Sequence, residues 1–134
     1  MIHLSNQRIP TSTYQQLRIL SGLSPKSDQA AEIGLNHSLH CVLLKNENDL
    51  PIGMGRIIGD GGCFCQVVDI CVLPEYHGKG LGKMIMQNIM DFIEKELPES
   101  CYISLLADGK AHELYAKLGF RETLPESRGM FIRK

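Results

Sequence analysis

The stretch from Val67 to Met84 constrains this chain more than any other. An apolar strand, Val67-Val-Asp-Ile-Cys-Val-Leu73, runs into Pro74 and then a turn with glycines at 78, 80 and 82. An amphipathic helix follows, with Leu81, Ile85, Ile89, Phe92, Ile93 and Leu97 along one stripe and Lys83, Gln87, Asp91, Glu94 and Lys95 opposite. Such a junction is a ready anion site. The first N–H groups of a helix have no partner inside it, and the helix dipole adds positive potential there. Glycines remove the side chains that would hold a phosphate away from the backbone. A Mg-nucleotide loop is disfavoured, because Gly82-Lys83 is followed by Met84 rather than Ser or Thr. A dinucleotide fingerprint is disfavoured too: Gly78 and Gly80 fit it, but position 83 is Lys and no acidic residue follows at a convincing spacing. The bland alternative is a glycine-rich helix entry that binds nothing.

The rest of the chain places this junction in a mixed α+β domain. Thr11, Ser12 or Thr13 caps an expected helix that carries Tyr14, Leu17, Ile19 and Leu20 and ends near Gly22. Pro25 opens a second, from Lys26 to about Ile33, with Gly34 as its C-cap. Leu39–Lys45, Ile52–Ile58 and Cys63–Leu73 are apolar runs joined by turn-prone segments, an antiparallel meander. After the long helix, which Pro98 ends, come a short strand at Tyr102–Leu106 and a short helix at Ala111–Lys117 closed by Gly119. Final strands are expected at Phe120–Arg121 and Met130–Arg133. Strands before and after a long helix imply a mixed sheet with helices on its faces. The 134 residues show no repeat or linker, so 1–134 reads as a single domain.

Composition narrows the function. With 43% hydrophobic and 22% charged residues the chain is of the soluble globular type, and its net charge of -1 without a block of like charges gives no nucleic-acid face. No apolar run is long enough to span a membrane, and Met1–Ser12 lacks the apolar core of a signal peptide. The expectation is a cytoplasmic protein. Cys41, Cys63, Cys65, Cys71 and Cys101 are odd in number and contain no CxxC. They read as reduced thiols, with no metal site.

The segment Val72-Leu-Pro-Glu-Tyr-His-Gly-Lys-Gly-Leu-Gly82 resembles motif A of the GNAT superfamily, whose core is Gln/Arg-x-x-Gly-x-Gly/Ala; His77 stands at its first position. Leu114-Tyr-Ala-Lys-Leu-Gly-Phe120 is similar to motif B, and Asp108-Gly-Lys-Ala111 sits where the family often has Asn-x-x-Ala. The matches span about half of the chain, from Ile52 to Phe120. The resemblance implies a twisted mixed sheet, acetyl-CoA as co-substrate, and transfer of its acetyl group to an amine. It implies that His77, Gly78, Lys79, Gly80, Leu81, Gly82 and Lys83 hold the pyrophosphate, with Asp108 a further contact. The backbone of Ile70, Cys71 and Val72 would pair with pantetheine as an added strand does. Plain core packing is the other reading of those three, and both can hold on an alternating strand.

Transfer to an amine requires a neutral amine, a stabilised oxyanion and a protonated leaving thiolate. Asp69 stands in an apolar strand, where a carboxylate is costly without a task, so it is the candidate base; a hydrogen-bonded structural Asp or one turned to solvent is the alternative. His40 is a second candidate base or a structural His. Tyr115, by resemblance to motif B, is the candidate acid; otherwise it is a core aromatic beside Leu114, Leu118 and Phe120. The backbone N–H near Cys71 or Val72 is the candidate oxyanion donor. Arg56 and Asp60 flank the acceptor side, Arg56 either gripping a substrate carboxylate or lying solvated. The expected partner is a small-molecule amine such as an amino acid or aralkylamine, with a homodimer left open. A non-catalytic acyl-CoA sensor and a protein N-acetyltransferase are the rival functions.

Overall fold

A computed structural model describes all residues, 1–134. The chain parts into two compact units, Met1–Ser104 and Leu105–Lys134. The first unit is built on a five-stranded sheet in the order β1–β2–β3–β4–β5. β2 (His40–Lys45), β3 (Pro51–Gly59) and β4 (Phe64–Val72) form the expected antiparallel meander. β1 (His3–Ser5) adds to it against Leu43–Lys45 and was not foreseen, since three residues carry no readable alternation. α3 (Leu81–Glu96) then connects β4 to β5 (Tyr102–Leu105). Such a crossover is what parallel neighbours need.

α1 (Thr11–Leu20) and α2 (Asp28–Asn36) cover one face of the sheet. Their core joins Ile9, Tyr14, Leu17, Ala31 and Leu35 to Cys41, Leu43, Met54 and Cys71. α2 differs from expectation at both ends. Ser27, not Pro25, starts it, because the Ser27 hydroxyl accepts from the Ala30 N–H at 3.1 Å, and Asp28 suits the dipole in the first turn. Gly34 lies inside the helix rather than capping it; a Cβ there would sit 3.9 Å from the Arg56 guanidinium, which donates to the Gly34 carbonyl. On α1 the cap position is Pro10, and Thr11 donates instead to the Glu32 carboxylate at 2.6 Å.

α3 packs on the opposite face through Leu81, Ile85, Met86 and Ile89, each apolar side chain contributing roughly 1.5–3 kcal/mol by burial. Adjacent residues of a strand face opposite ways. Met54 therefore enters the α1–α2 core while Gly53 and Gly55 meet α3. A Cβ on Gly55 would lie 2.5 Å from Ile70 and 2.8 Å from Ile85, so glycine is what lets α3 come this close.

The β3–β4 ladder carries a bulge. Arg56 pairs with Val68 and Met54 with Cys71, so Gly55 alone spans the interval that Asp69 and Ile70 fill on β4. Asp69 has φ 61°, a left-handed conformation that Asp tolerates better than most residues.

In the second unit α4 (Ala111–Lys117) forms as expected. The expected strands at Phe120–Arg121 and Met130–Arg133 do not form; Met130, Phe131 and Ile132 are exposed. A two- to four-residue apolar run without a neighbouring strand in its unit cannot satisfy its backbone groups by pairing.

Candidate active site

The junction between β4 and α3 has the form the sequence implies. Pro74–Tyr76 makes one 3-10 turn after β4, and Gly78 and Gly80 follow with φ of 78° and 76°. Gly80 is the N-cap of α3 and gives it no side-chain cap; the helical ladder begins with the Met84 N–H donating to the Gly80 carbonyl. The amides of Leu81, Gly82 and Lys83 are thus without a partner inside the helix, and no acidic residue stands in the first turn. A Cβ at Gly78 or Gly80 would meet nothing within 4 Å, so the turn opens on free space. Donors, dipole and room together fit an anion.

Two residues of the expected contact set are engaged within the loop. His77 bonds through Nε2 to the Val72 carbonyl at 2.8 Å and ties the turn to the end of β4. That ring nitrogen and that carbonyl serve each other. The Lys79 ammonium lies 5.0 Å from the centre of the Tyr76 ring, a cation–π contact. Lys83 is exposed on the first turn of α3.

Beside the junction, the bulge holds a buried ionic cluster. Asp69 Oδ1 accepts from Arg18 Nη1 at 2.5 Å, and Oδ2 accepts from Arg56 Nε at 2.7 Å and the Tyr14 hydroxyl at 3.0 Å. The three charged side chains are 10%, 9% and 6% exposed for Arg18, Arg56 and Asp69. Both guanidiniums pack over the Tyr14 ring. Burial first, and then the Asp69 charge, raise the Tyr14 phenol above its ordinary value, so it remains a donor at neutral pH. Arg18 also donates through Nε to the Ser24 carbonyl, and Arg56 through Nη1 to the Gly34 carbonyl and the Ser38 hydroxyl. Two guanidiniums against one carboxylate leave the cluster one positive charge in excess. Each guanidinium keeps Nη2 without a protein acceptor.

This geometry revises three expectations. Asp69 is the hydrogen-bonded Asp of the alternatives, with both oxygens committed. Arg56 is neither solvated nor free to grip a carboxylate with a two-pronged fork, because Nε and Nη1 are taken. Asp60 is a turn residue: its Oδ1 accepts from the N–H groups of Gly62, Cys63 and Phe64, bonds to Phe64, Gly62 and Cys63 that hold its carboxyl below the usual range. It stands at the hairpin tip, five residues along β3 from the Gly55 bulge, roughly 17 Å away at strand rise. His40 stacks on Phe92 with ring centres 4.5 Å apart and bonds through Nε2 to Asn88, so it too is occupied. Sequence reasoning missed Tyr14 and Arg18. Their signal was the i,i+4 spacing beside Leu17, which puts an arginine on the buried stripe of α1 while Ile19 and Leu20 face out.

In the second unit Tyr115 is buried and edge-on to Phe120 at 6.2 Å. Burial, and then the charge of Asp108, raise its phenol above the ordinary value. Asp108 is exposed, just before the helix that carries Tyr115.

Known proteins resemble the chain in sequence and fold. Residues 36–122 match the family model of the acetyltransferase (GNAT) domain. A solved probable acetyltransferase of meticillin-resistant Staphylococcus aureus is 46% identical, with a TM-score of 0.93 and full coverage of both chains. A GNAT family acetyltransferase of Streptococcus pneumoniae shares the fold at 23% identity and a TM-score of 0.82, over 100% of this chain and 98% of its own. The uncharacterized N-acetyltransferase ycf52 of Porphyra purpurea is 28% identical over 97% of this chain and 76% of its own length. The mixed sheet and the glycine turn that feeds an uncapped helix are found here within the span that matches an acetyltransferase domain. The chain belongs to the GNAT acetyltransferases.

Proposed function

We propose that the chain transfers the acetyl group of acetyl-CoA to the primary amine of a small molecule by direct attack, in the cytoplasm. The observation that carries this reading is the uncapped start of α3 behind Gly78 and Gly80, open to an anion and continuous with the end of β4. The pyrophosphate of acetyl-CoA is assigned to the amides of Leu81–Lys83, with Lys83 as a further positive charge. Ile70 and Cys71 offer backbone to pantetheine, and an N–H near Cys71 or Val72 stabilises the oxyanion. Tyr115, on the family resemblance, protonates the leaving thiolate; its raised phenol pKa keeps the proton in place at neutral pH. Asp108 remains assigned to the co-substrate on the resemblance alone.

The acceptor is assigned to the α1–α2 side of the bulge. There the excess positive charge of Arg18, Arg56 and Asp69 supports an amine that also carries an anionic group, as an amino acid does. Free thiols at all five cysteines suit the cytoplasm. A thiol-release screen with acetyl-CoA against amino acids, aralkylamines and polyamines tests the reading. Amino acids should turn over fastest. Acetyl-CoA binding without thiol release from any amine would mark a sensor instead, and turnover of peptides alone would mark a protein acetyltransferase.

A paired substitution tests the co-substrate site. Gly80→Ala and Gly22→Ala each force an L side chain into a left-handed position with nothing within 4 Å of the new Cβ, at roughly 1–2 kcal/mol of strain. Both should lose similar stability, but only Gly80→Ala should weaken acetyl-CoA binding in calorimetry. Equal affinities would remove the pyrophosphate from this turn.

A further inference from the structure

We propose that Cys65 and Cys101 form a thiol pair that a small disulfide, such as oxidised glutathione, converts into an intramolecular disulfide. Their Sγ atoms are 3.7 Å apart although 36 residues separate them in sequence. The contact is built into the start of the β4–β5 pairing, where the Tyr102 N–H donates to the Cys63 carbonyl at 2.8 Å. Ser100 precedes Cys101 with φ 71°, a left-handed turn just before the thiol that meets β4. A disulfide needs a sulfur separation of about 2.05 Å, so the pair must close by roughly 1.7 Å. Cys65 is buried on β4, whereas Cys101 is half-buried in the coil before β5, the segment able to supply that movement. Cys63, exposed two residues before Cys65, is the competing thiol. Cys41 is buried elsewhere, in the α1–α2 core. Cys71 is buried there too, and desolvation pushes its thiol up to about 11.

The exchange balances in two steps. The Cys101 thiolate attacks one sulfur of the small disulfide, forming a mixed disulfide and releasing one thiolate. The Cys65 thiolate then attacks Cys101 Sγ, forming the Cys65–Cys101 bond and releasing the second. The protein gives up two electrons and two protons, and one small disulfide becomes two thiols. Desolvation, the bond it donates to Cys65 and the charges around it raise the Cys101 thiol, so the reaction is slow at neutral pH and quickens as pH rises. The bridge closes a loop over residues 66–100, which contains the bulge, the glycine turn and α3.

The full chain is incubated with oxidised glutathione at pH 8, alkylated and mapped by mass spectrometry. The expected product is lighter than the reduced chain by about 2 Da before alkylation, joins the Cys65 and Cys101 peptides, and melts several degrees higher because a long loop has been closed. Cys63→Ser should give the same bridge. Cys101→Ser should not, and neither should Cys65→Ala, which keeps the buried site apolar. A Cys63–Cys101 bridge, a dimer linked through Cys63, a lasting glutathione adduct on Cys101 with Cys65 still alkylated, or no oxidation at all would each overturn the proposal. None of these readouts involves acetyl transfer.

Discussion

At the scale of the residue, Asp69 has both carboxylate oxygens committed in a buried site. It adopts a left-handed conformation in a bulge, and its carboxylate stands between two buried guanidiniums. Asp69→Asn keeps the shape and the tolerance of positive φ but leaves two buried cations facing each other. Removing one partner of a buried ionic set costs about 3–5 kcal/mol, so the melting temperature should fall by ten degrees or more. Turnover should fall by the same factor for acceptors of high and low pKa. A loss confined to high-pKa amines, with stability intact, would return Asp69 to the role of base. Tyr115→Phe makes the opposite kind of test, because it removes one hydroxyl and keeps the ring against Phe120. As a general acid Tyr115 is worth 10²–10⁴-fold, so kcat should drop by about that much with acetyl-CoA affinity unchanged. In the wild type, activity should decline on the alkaline side only above the ordinary phenol value near 10, since the folded pKa is raised. Turnover that survives in Tyr115→Phe would leave it a packing residue.

At the scale of the element, the spacing between α3 and the sheet is set by the absent side chain at Gly55. Gly55→Ala places a methyl group against Ile70, Ile85 and Ile89, and two of those contacts lie below 3.0 Å. Branched neighbours at such distances yield only by moving the helix, at about 1–3 kcal/mol. Because α3 carries at its N-terminus the amides assigned to the co-substrate in the proposal, acetyl-CoA affinity should fall along with the melting temperature. A melting temperature that drops with unchanged affinity would show that α3 can shift without disturbing its first turn. The long elements were legible in the sequence. The stripe Leu81–Ile85–Ile89 and the three strands of the meander each repeat their period often enough to be read. β1 was too short to show a period, and the tail Met130–Ile132 has strand composition without a partner strand in its unit. The start of α2 turned on a cap, Ser27, that competes in the sequence with Pro25 two residues earlier.

At the scale of the whole molecule, the glycine turn was legible because local chemistry defines it: glycines, a helix start and no acidic residue close together in the chain. The ionic cluster was not, because Tyr14, Arg18, Arg56 and Asp69 come from α1, β3 and β4, and only the folded sheet brings them together. That difference bears on how the acceptor loses its proton. Asp69 has both carboxylate oxygens taken by three donors, and His40 is held through Nε2 by Asn88 and stacked on Phe92. If no protein group takes the proton, the amine attacks in its already neutral form and solvent carries the proton away. An α-amine with pKa near 8 is neutral about a tenth of the time at pH 7, and a lysine-like amine near 10.4 only about once in a few thousand. The acid limb of kcat/KM should therefore shift with the acceptor, rising tenfold per pH unit up to each amine's own pKa. A catalytic base would instead give every acceptor the same limb, fixed at the pKa of the enzyme group. The measurement is kcat/KM from pH 6 to 10 for three amines spanning about two pKa units. Limbs that coincide would mean that a protein group takes the proton, and would direct the search away from Asp69 to a base outside the cluster.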